Sequence, residues 1–189
     1  MKLVIDGVEV QARQGSSILD AAEEAGIYIP HLCKHPDLEA MGGCRLCSVE
    51  LNGSGKVVPA CLTPVEENLV VGSKSPAAVK VRNTALELIL ADHPTECGDC
   101  PKYGRCELQS IYQCLGVTPE RRKHRHQPVA DNASNPLILH RMTRCILCGR
   151  CVRACRELRG VKVLDFQRKD GRIRIGTDGG KSLAEGGCR

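Results

Sequence analysis

Residues 143–160, TRCILCGRCVRACRELRG, carry four cysteines at the spacing C-x2-C-x2-C-x3-C. This is the spacing of bacterial two-cluster ferredoxins, in which the fourth cysteine of the run ligates the other cluster. It predicts that Cys145, Cys148 and Cys151 hold one [4Fe-4S] cluster, whereas Cys155 reaches toward a second one. An alternative stays open, in which all four cysteines of the run close on a single cluster.

A second cluster in this region needs a cysteine set of its own, and that set would begin at Cys188 in the segment GGCR. Its other cysteines, and the closing ligand of the first cluster, would lie beyond Arg189. We therefore expect the last module to be incomplete at its C-terminus. A complete module would hold one or two [4Fe-4S] clusters. In the single-cluster alternative, Cys188 is a free thiol.

Arginines are interspersed among these cysteines. They either offset the negative charge of ligating thiolates or form a solvated helix face, and the sequence leaves both interpretations open. These arginines are Arg144, Arg150, Arg153 and Arg156.

The composition favours small modules that are stabilised by metal centres. The chain has 189 residues and 13 cysteines but no Trp and one Phe, so the large side chains that usually dominate a core are scarce. The N-terminal segment lacks the apolar core of a signal peptide, and no run of about 18 apolar residues exists. We therefore expect a cytoplasmic chain in which clustered cysteines bind metal. We expect no direct membrane insertion, and association with a membrane through partner subunits stays open.

The first module is predicted to be a β-grasp domain spanning residues 1–78, within an α+β fold. KLVIDGVEVQA contains two strands, near 2–5 and 8–12, joined by Asp6 and Gly7, a pair that suits the positive φ angles of a tight hairpin turn. SSILDAAEEAG predicts a helix that begins at one of its serines and ends at its glycine. Three further short strands are predicted in CSVEL, KVVPAC and NLVVG.

The remaining modules are predicted to span residues 79–130 and 131–189. A helix should run from Pro76 and stop before Pro94, because proline suits a first helical turn and disfavours helical conformation in the residue before it. The last module should contain a β-hairpin formed by VKVLDFQ and RIRIG. The apolar stripe of the helix is predicted to consist of Val81, Ala85 and Leu88.

Cysteines of the first module follow the spacing C-x10-C-x2-C-x13-C. Four thiolates are the normal ligand set of an iron–sulfur cluster, and the glycines of MGGCRLC allow backbone amides to turn toward sulfur. A long gap inside a β-grasp sheet favours a [2Fe-2S] cluster, although zinc also accepts four thiolates. The set consists of Cys33, Cys44, Cys47 and Cys61.

The second module contains HPTECGDCPKYGRCELQ, with one histidine and three cysteines at the spacing H-x3-C-x2-C-x5-C. The cysteines lack a fourth thiolate, so the nearby imidazole is predicted to be the fourth ligand. A neutral imidazole makes such a site less negative and raises its potential. Zinc held by the same ligands is the alternative. The set consists of His93, Cys97, Cys100 and Cys106, and Cys114 is predicted to be a buried structural thiol.

In this order the three sets resemble the iron–sulfur N-terminal region of the large peripheral-arm subunit of complex I. The same region is known from the diaphorase small subunit of bidirectional NiFe hydrogenases, multi-cluster FeFe hydrogenases and NAD-dependent formate dehydrogenases. HPTEC and CELQ, followed by RCILCGRCVRAC, carry the resemblance, which covers essentially the whole chain. It implies [2Fe-2S] at the first set and a [4Fe-4S] cluster with one histidine ligand at the second.

No nucleophile with its base, phosphate-binding loop or dinucleotide fingerprint occurs in the sequence, so no catalytic residue and no substrate site of its own are predicted. We expect an electron-transfer subunit of an NAD(P)-linked oxidoreductase complex. Its expected partners are a flavin-containing NAD(P)H-oxidising subunit and a catalytic subunit of the hydrogenase, formate dehydrogenase or complex I type.

The alternative function is a zinc-stapled scaffold or a nucleic-acid-binding protein. It is motivated by the cysteine sets and by the basic run ERRKHRH, residues 120–126. A formal net charge of +5 counts every thiol as neutral, so ligating thiolates would make the protein less basic. We therefore expect this run to be a solvated loop or a docking face for a partner subunit, without nucleic-acid binding.

Overall fold

The computed structural model describes residues 1–94, 96–118, 131, 133, 135, 137–169 and 171–187, and it confirms the predicted α+β class. The basic run 120–126, Asp170 and Cys188 lie outside the described residues. In the described part, no helix is long and apolar enough to cross a membrane.

The N-terminal part of the chain is a mixed β-sheet crossed by one helix, as predicted. The strands lie in the order β2-β1-β5-β3-β4, with β1 parallel to β5 and the other neighbours antiparallel. The elements are β1 (Lys2–Ile5), β2 (Val8–Gln11), α1 (Ile18–Glu24), β3 (Ser48–Leu51), β4 (Lys56–Pro59) and β5 (Leu69–Gly72).

Local chemistry explains how the first elements form. Asp6 and Gly7 have φ angles of 50° and 85°, which a tight turn between β1 and β2 requires. Ser17 caps α1: its hydroxyl accepts a hydrogen bond from the Asp20 amide at 3.1 Å, and the Asp20 carboxylate accepts one from the Ser17 amide at 3.1 Å. Asp20 also pairs with Lys34, which fastens the chain after α1 onto the helix.

The core of this part includes two of the predicted ligands. Leu3, Ile18 and Val49 are buried in it, and the side chains of Cys47 and Cys61 belong to the same cluster. The cysteine side chains therefore contribute to the interior of the sheet domain as well as to a candidate site.

Two helices follow, α2 (Pro76–Ala91) and α3 (Glu107–Cys114). Ser75 caps α2, and Pro76 stands at its first position. A second core forms between these helices and the cysteine-bearing loops of the sheet domain. Its buried members are Leu32, Leu46, Leu86, Leu90, Leu108, Ile111 and Val117.

The predicted stripe of α2 is wrong at two of its three residues, and the third, Ala85, packs against the second core. Val81 and Leu88 are 39% and 57% exposed, whereas the buried face contains Arg82. The guanidinium of Arg82 donates hydrogen bonds to carbonyls of the sheet domain. The helix face that contains this arginine therefore packs against the sheet domain. A pattern based on apolar residues alone selects the wrong side of the helix. The buried residues of α2 are Ala78, Arg82, Leu86 and Leu90.

The C-terminal part contains a short helical segment and the predicted hairpin. Helix α4 (Arg150–Arg153) continues into a π-helical turn, Ala154–Leu158. Strands β6 (Leu164–Lys169) and β7 (Arg172–Thr177) then pair antiparallel, with Phe166 opposite Ile175. The predicted boundaries of the three modules remain a prediction, and buried side chains from both later parts reach the first one.

The two faces of α2 allow a direct test. Leu86→Ala should lower the free energy of unfolding by about 2–5 kcal/mol, because it leaves a cavity in the second core. Leu88→Ala, on the exposed face, should change it by less than about 0.5 kcal/mol. Thermal and denaturant unfolding of the two variants measures the difference, and equal losses would contradict the observed orientation.

Candidate metal centres

The first cysteine set comes together beside the sheet. Cys33 follows α1, Cys44 and Cys47 precede β3, and Cys61 follows β4. Cys33, Cys47 and Cys61 are buried, and Cys44 is partly exposed. The thiols are hydrogen-bonded in two pairs, Cys33 with Cys44 and Cys47 with Cys61. The structure therefore brings these four cysteines together beside the sheet as two neighbouring pairs.

These thiol pairs have shifted pKa values. The hydrogen bond from Cys44 lowers the pKa of Cys33 to about 5, whereas the same hydrogen bond and burial raise the pKa of Cys44. In the other pair, the hydrogen bond from Cys47 lowers the pKa of Cys61, and that bond together with burial raises the pKa of Cys47. Each pair thus favours one thiolate, the form that binds metal.

Backbone amides point toward these sulfurs. The amides of Gly43 and Leu46 are hydrogen-bonded to Cys33 and Cys44, and the amide of Gly42 is hydrogen-bonded to Cys61. Gly42 has a φ angle of 66°, a backbone conformation that other residues rarely adopt, so glycine is favoured there. Amides directed at sulfur stabilise anionic thiolates, so this site fits an iron–sulfur group.

The second set lines one cavity. His93 follows α2, Cys97 and Cys100 lie in a turn closed by a 3.0 Å hydrogen bond, and Cys106 is the N-cap of α3. The hydroxyl of Tyr112 lies 3.9 Å from Cys97 Sγ. All four predicted ligands share the cavity wall with Leu90, Pro94, Tyr103, Leu108, Gln109, Tyr112 and Arg144. One imidazole and three thiols therefore face a largely apolar space, which fits the predicted ligand chemistry.

The third set divides into a group of three cysteines and one that is separate. Burial raises the pKa values of Cys145 and Cys151, and the neighbouring Cys148 raises both further, which places these three thiols together. The amide of Leu147, a residue with a φ angle of 54°, donates to Cys145 Sγ at 3.4 Å. A non-glycine residue with positive φ is uncommon and frequently marks a functional loop.

Cys155 lies in a different environment. It is buried against Val163 and Leu183, and its sulfur accepts hydrogen bonds from the amides of Val163 at 3.1 Å and Leu164 at 3.5 Å. These amide donors suit a thiolate ligand. The predicted fifth cysteine of this region, Cys188, lies outside the described residues. Across the described ranges, no three His, Cys, Asp or Glu side chains converge closely enough for a single metal ion.

Two buried arginines lie beside the first set. The sequence analysis did not identify Arg82 as buried, and it left the role of Arg153 open. Arg82 donates from Nε to the Leu46 carbonyl at 3.0 Å, and from Nη2 to the carbonyls of Ser48 and Ser73 at 2.9 Å each. Arg153 donates to the carbonyls of Cys33 and Glu39. The signal for Arg82 was its spacing from Ala78, Leu86 and Leu90 at multiples of four residues, which places it on the same helix face.

The other arginines of the third region lie nearer solvent. Arg150 forms an ion pair with Glu107 at 2.9 Å, and Arg156 lies 3.5 Å from Asp165. Cys114, predicted to be buried, is exposed. Helix α3 buries Leu108 and Ile111, and Cys114 falls to the side of that face at the last position of the helix.

Sequence profiles of three protein families match the chain. They are a 2Fe-2S iron–sulfur cluster binding domain over residues 1–76, the NADH-ubiquinone oxidoreductase-G iron–sulfur binding region over 82–121, and the ferredoxin-like domain of NADH-quinone oxidoreductase subunit 3 over 135–186. The chain therefore contains 2Fe-2S and 4Fe-4S binding domains. The zinc-scaffold and nucleic-acid alternative finds no support in these matches.

Individual relatives agree with these profiles. The G subunit of NADH-quinone oxidoreductase from Rickettsia prowazekii (strain Madrid E) is 36% identical over 162 residues, which covers 86% of this chain and 24% of that protein. The NADH-ubiquinone oxidoreductase 75 kDa subunit of Reclinomonas americana is 37% identical over 161 residues, 85% of this chain and 23% of that protein. The chain thus spans about a quarter of the length of these relatives.

A solved structure extends the comparison to the fold. The crystal structure of an NAD+-reducing [NiFe]-hydrogenase in the H2-reduced state contains a chain that matches with a TM-score of 0.85 and 35% identity. The match covers 93% of the present chain and 74% of the hydrogenase chain.

Cysteine substitutions test the composition of the first site. Cys47→Ser should remove the iron and acid-labile sulfide of one [2Fe-2S] centre, because it deletes a thiolate from a four-ligand set. Cys114→Ser, which changes an exposed cysteine outside the three sets, should leave both contents unchanged. Metal and sulfide analysis of oxygen-free material measures the difference, and an intact centre in the Cys47 variant would exclude that residue as a ligand.

Proposed function

We propose that this chain carries electrons within an oxidoreductase complex. It belongs to the iron–sulfur protein family that includes the G subunit of NADH-quinone oxidoreductase and the matched [NiFe]-hydrogenase chain. The observation that supports this most directly is the adjacency of its three cysteine sets. Electron tunnelling falls steeply with distance, so a relay requires centres that lie close together.

Cys148 of the third set is central to this adjacency. It lines one crevice together with Cys44 of the first set, and Phe166, Met41 and Leu32 form part of the same wall. It also lines a second cleft, together with Cys100 and Cys106 of the second set. The third set therefore neighbours both of the others, and we propose that electrons pass between the first and second sets by way of the third.

The proposed ligands are those that the sequence indicates. When bound, each cluster accepts and releases one electron at a time without requiring a substrate pocket in this chain. The first set would hold [2Fe-2S], the second would hold [4Fe-4S] with one histidine ligand, and Cys145, Cys148 and Cys151 would hold a further [4Fe-4S] cluster. Cys155, with two amides directed at its sulfur, would ligate another cluster of the same region.

The residues of this chain set how easily each site takes up an electron. Burial of Cys33, Cys47 and Cys61 keeps water from the first set, and amides that donate to sulfur stabilise the more negative, reduced state. At the second site, the neutral His93 imidazole replaces an anionic thiolate, so the site carries one negative charge fewer. We infer that the second site has the higher potential that such a replacement produces.

The chain needs partners at both ends of this relay. The names of the relatives refer to NADH oxidation, quinone reduction and NAD+-reducing hydrogenase. We propose a flavin-containing NAD(P)H-oxidising subunit on one side and a catalytic oxidoreductase subunit on the other. Identification of co-purifying subunits by mass spectrometry, in the native host, decides between hydrogenase, formate dehydrogenase and quinone-reducing complexes.

Metal content tests the proposed function. The chain purified without oxygen should be brown, contain iron and acid-labile sulfide, and show EPR signals of both cluster types after reduction. Zinc would give a colourless protein with no reducible signal, because Zn²⁺ has no redox chemistry. Stoichiometric zinc in place of iron would contradict the proposal.

The ligand at the second site has its own test. His93→Cys should retain iron but lower the midpoint potential of the second centre, since a fourth anionic ligand stabilises the oxidised cluster. An EPR-monitored redox titration measures the shift, and the first centre in the same sample serves as an internal control. An unchanged midpoint would remove His93 from the ligand set.

A further inference from the structure

Arg153 of α4 is a buried cation that reaches the first cysteine set from the third region. Its side chain is 7% exposed, and its guanidinium donates hydrogen bonds to the backbone carbonyls of Cys33 and Glu39. Its Nε is also buried and has no hydrogen-bond partner within the described part of the chain. The cation therefore contacts the backbone carbonyl of Cys33, a proposed ligand of the first centre.

The charge of Arg153 is not offset by either of these acceptors. Both are neutral carbonyl groups, and a buried charge is costly unless an opposite charge compensates it. The Cys33 carbonyl that accepts a hydrogen bond from Arg153 belongs to a predicted ligand of the first set, so the guanidinium lies next to that set. A four-thiolate iron–sulfur group held by the first set would place negative charge next to this cation.

The neighbouring Glu157 holds the same loop by a different contact. Its Oε2 accepts a hydrogen bond from the Glu39 amide at 2.9 Å, one turn beyond Arg153 in the chain. The peptide at Glu39 is therefore held on its carbonyl side by Arg153 and on its amide side by Glu157. Glu157 contributes to docking without contributing a positive charge, which makes it a matched control.

Arg82 repeats the arrangement from α2. It is 4% exposed, and its hydrogen bonds hold the carbonyls of Leu46 and Ser48, on either side of Cys47. Its Nη2 also donates a hydrogen bond to the Ser73 carbonyl at 2.9 Å. Guanidinium groups from two different regions thus hold the backbone at two cysteines of one set, Cys33 and Cys47.

We propose that Arg153 sets the reduction potential of the first centre. Reduction adds one electron, hence one negative charge, to the site, and a buried cation stabilises that more negative state. Arg153 contacts the Cys33 carbonyl, and its effect on the centre is exerted by its charge. Because it belongs to the third region, the docking of that region onto the first raises the potential of the first centre. This inference rests on the proposed function.

The test compares charge with shape at position 153. In an anaerobic EPR redox titration of the full chain, with dithionite as the electron donor, Arg153→Met should make reduction of the first centre about tenfold less favourable. For a one-electron couple this lowers the midpoint by about 59 mV. Arg153→Lys, which keeps the positive charge, should recover most of the shift. The [2Fe-2S] signal is followed at a temperature that broadens [4Fe-4S] signals.

A control separates charge from loosened docking. Glu157→Ala removes the other contact to Glu39 together with a negative charge, so it should leave the potential unchanged or raise it. A fall in the Glu157 variant equal to that of Arg153→Met would assign the effect to docking and overturn the proposal. An unchanged midpoint in Arg153→Met, with iron content intact, would overturn it as well.

Two further variants keep the test decisive if Arg153→Met does not fold or does not take up iron. Arg153→Gln keeps a polar amide in place of the guanidinium and removes the charge, and Arg82→Met removes the second guanidinium. Both should lower the midpoint. A parent chain without iron would refute the proposed function itself, whereas an iron-loaded set of variants with parental midpoints would refute only the role of Arg153.

Discussion

Hydrogen bonds from two buried guanidinium groups to backbone carbonyls hold the loops that carry the first cysteine set. Arg82 holds the loop on either side of Cys47, and Arg153 holds the Cys33 loop. A buried carbonyl without a partner is costly, so these donors stabilise the backbone on which the cysteines stand. The same contacts join the later parts of the chain to the first, so site geometry and docking share one physical basis.

Metal ligation compensates for the small apolar core. With one Phe and no Trp, the protein packs mainly Leu, Ile, Val and Ala, and it also buries Cys47 and Cys61 among them. A cluster at such a site bonds together chain segments that are far apart in sequence, which is how small domains with thin cores commonly gain stability. Binding and folding of the first region are therefore expected to be coupled.

The arrangement of the sites differs from their order in the sequence. Cys148 shares one crevice with Cys44 and another with Cys100 and Cys106, so the third set lies next to both of the others. In the relay that we propose, this adjacency would give an electron a short route between the first and second sets. The tyrosines and arginines around these sites place polar and cationic groups near sulfur, and such groups are the ones that adjust the potential of a centre.

Local rules in the sequence were sufficient for the hairpin at Asp6 and Gly7, the cap of α1, the extent of α2 and the grouping of the cysteines. Each of these depends on residues at short, fixed spacings, whose backbone preferences and ligand geometry do not need distant partners. Tertiary structure alone decided that α2 buries Arg82, that Cys114 is exposed and that Cys148 adjoins two other sets. These features depend on which distant carbonyls and side chains meet each surface, and helical periodicity carries no information about those partners.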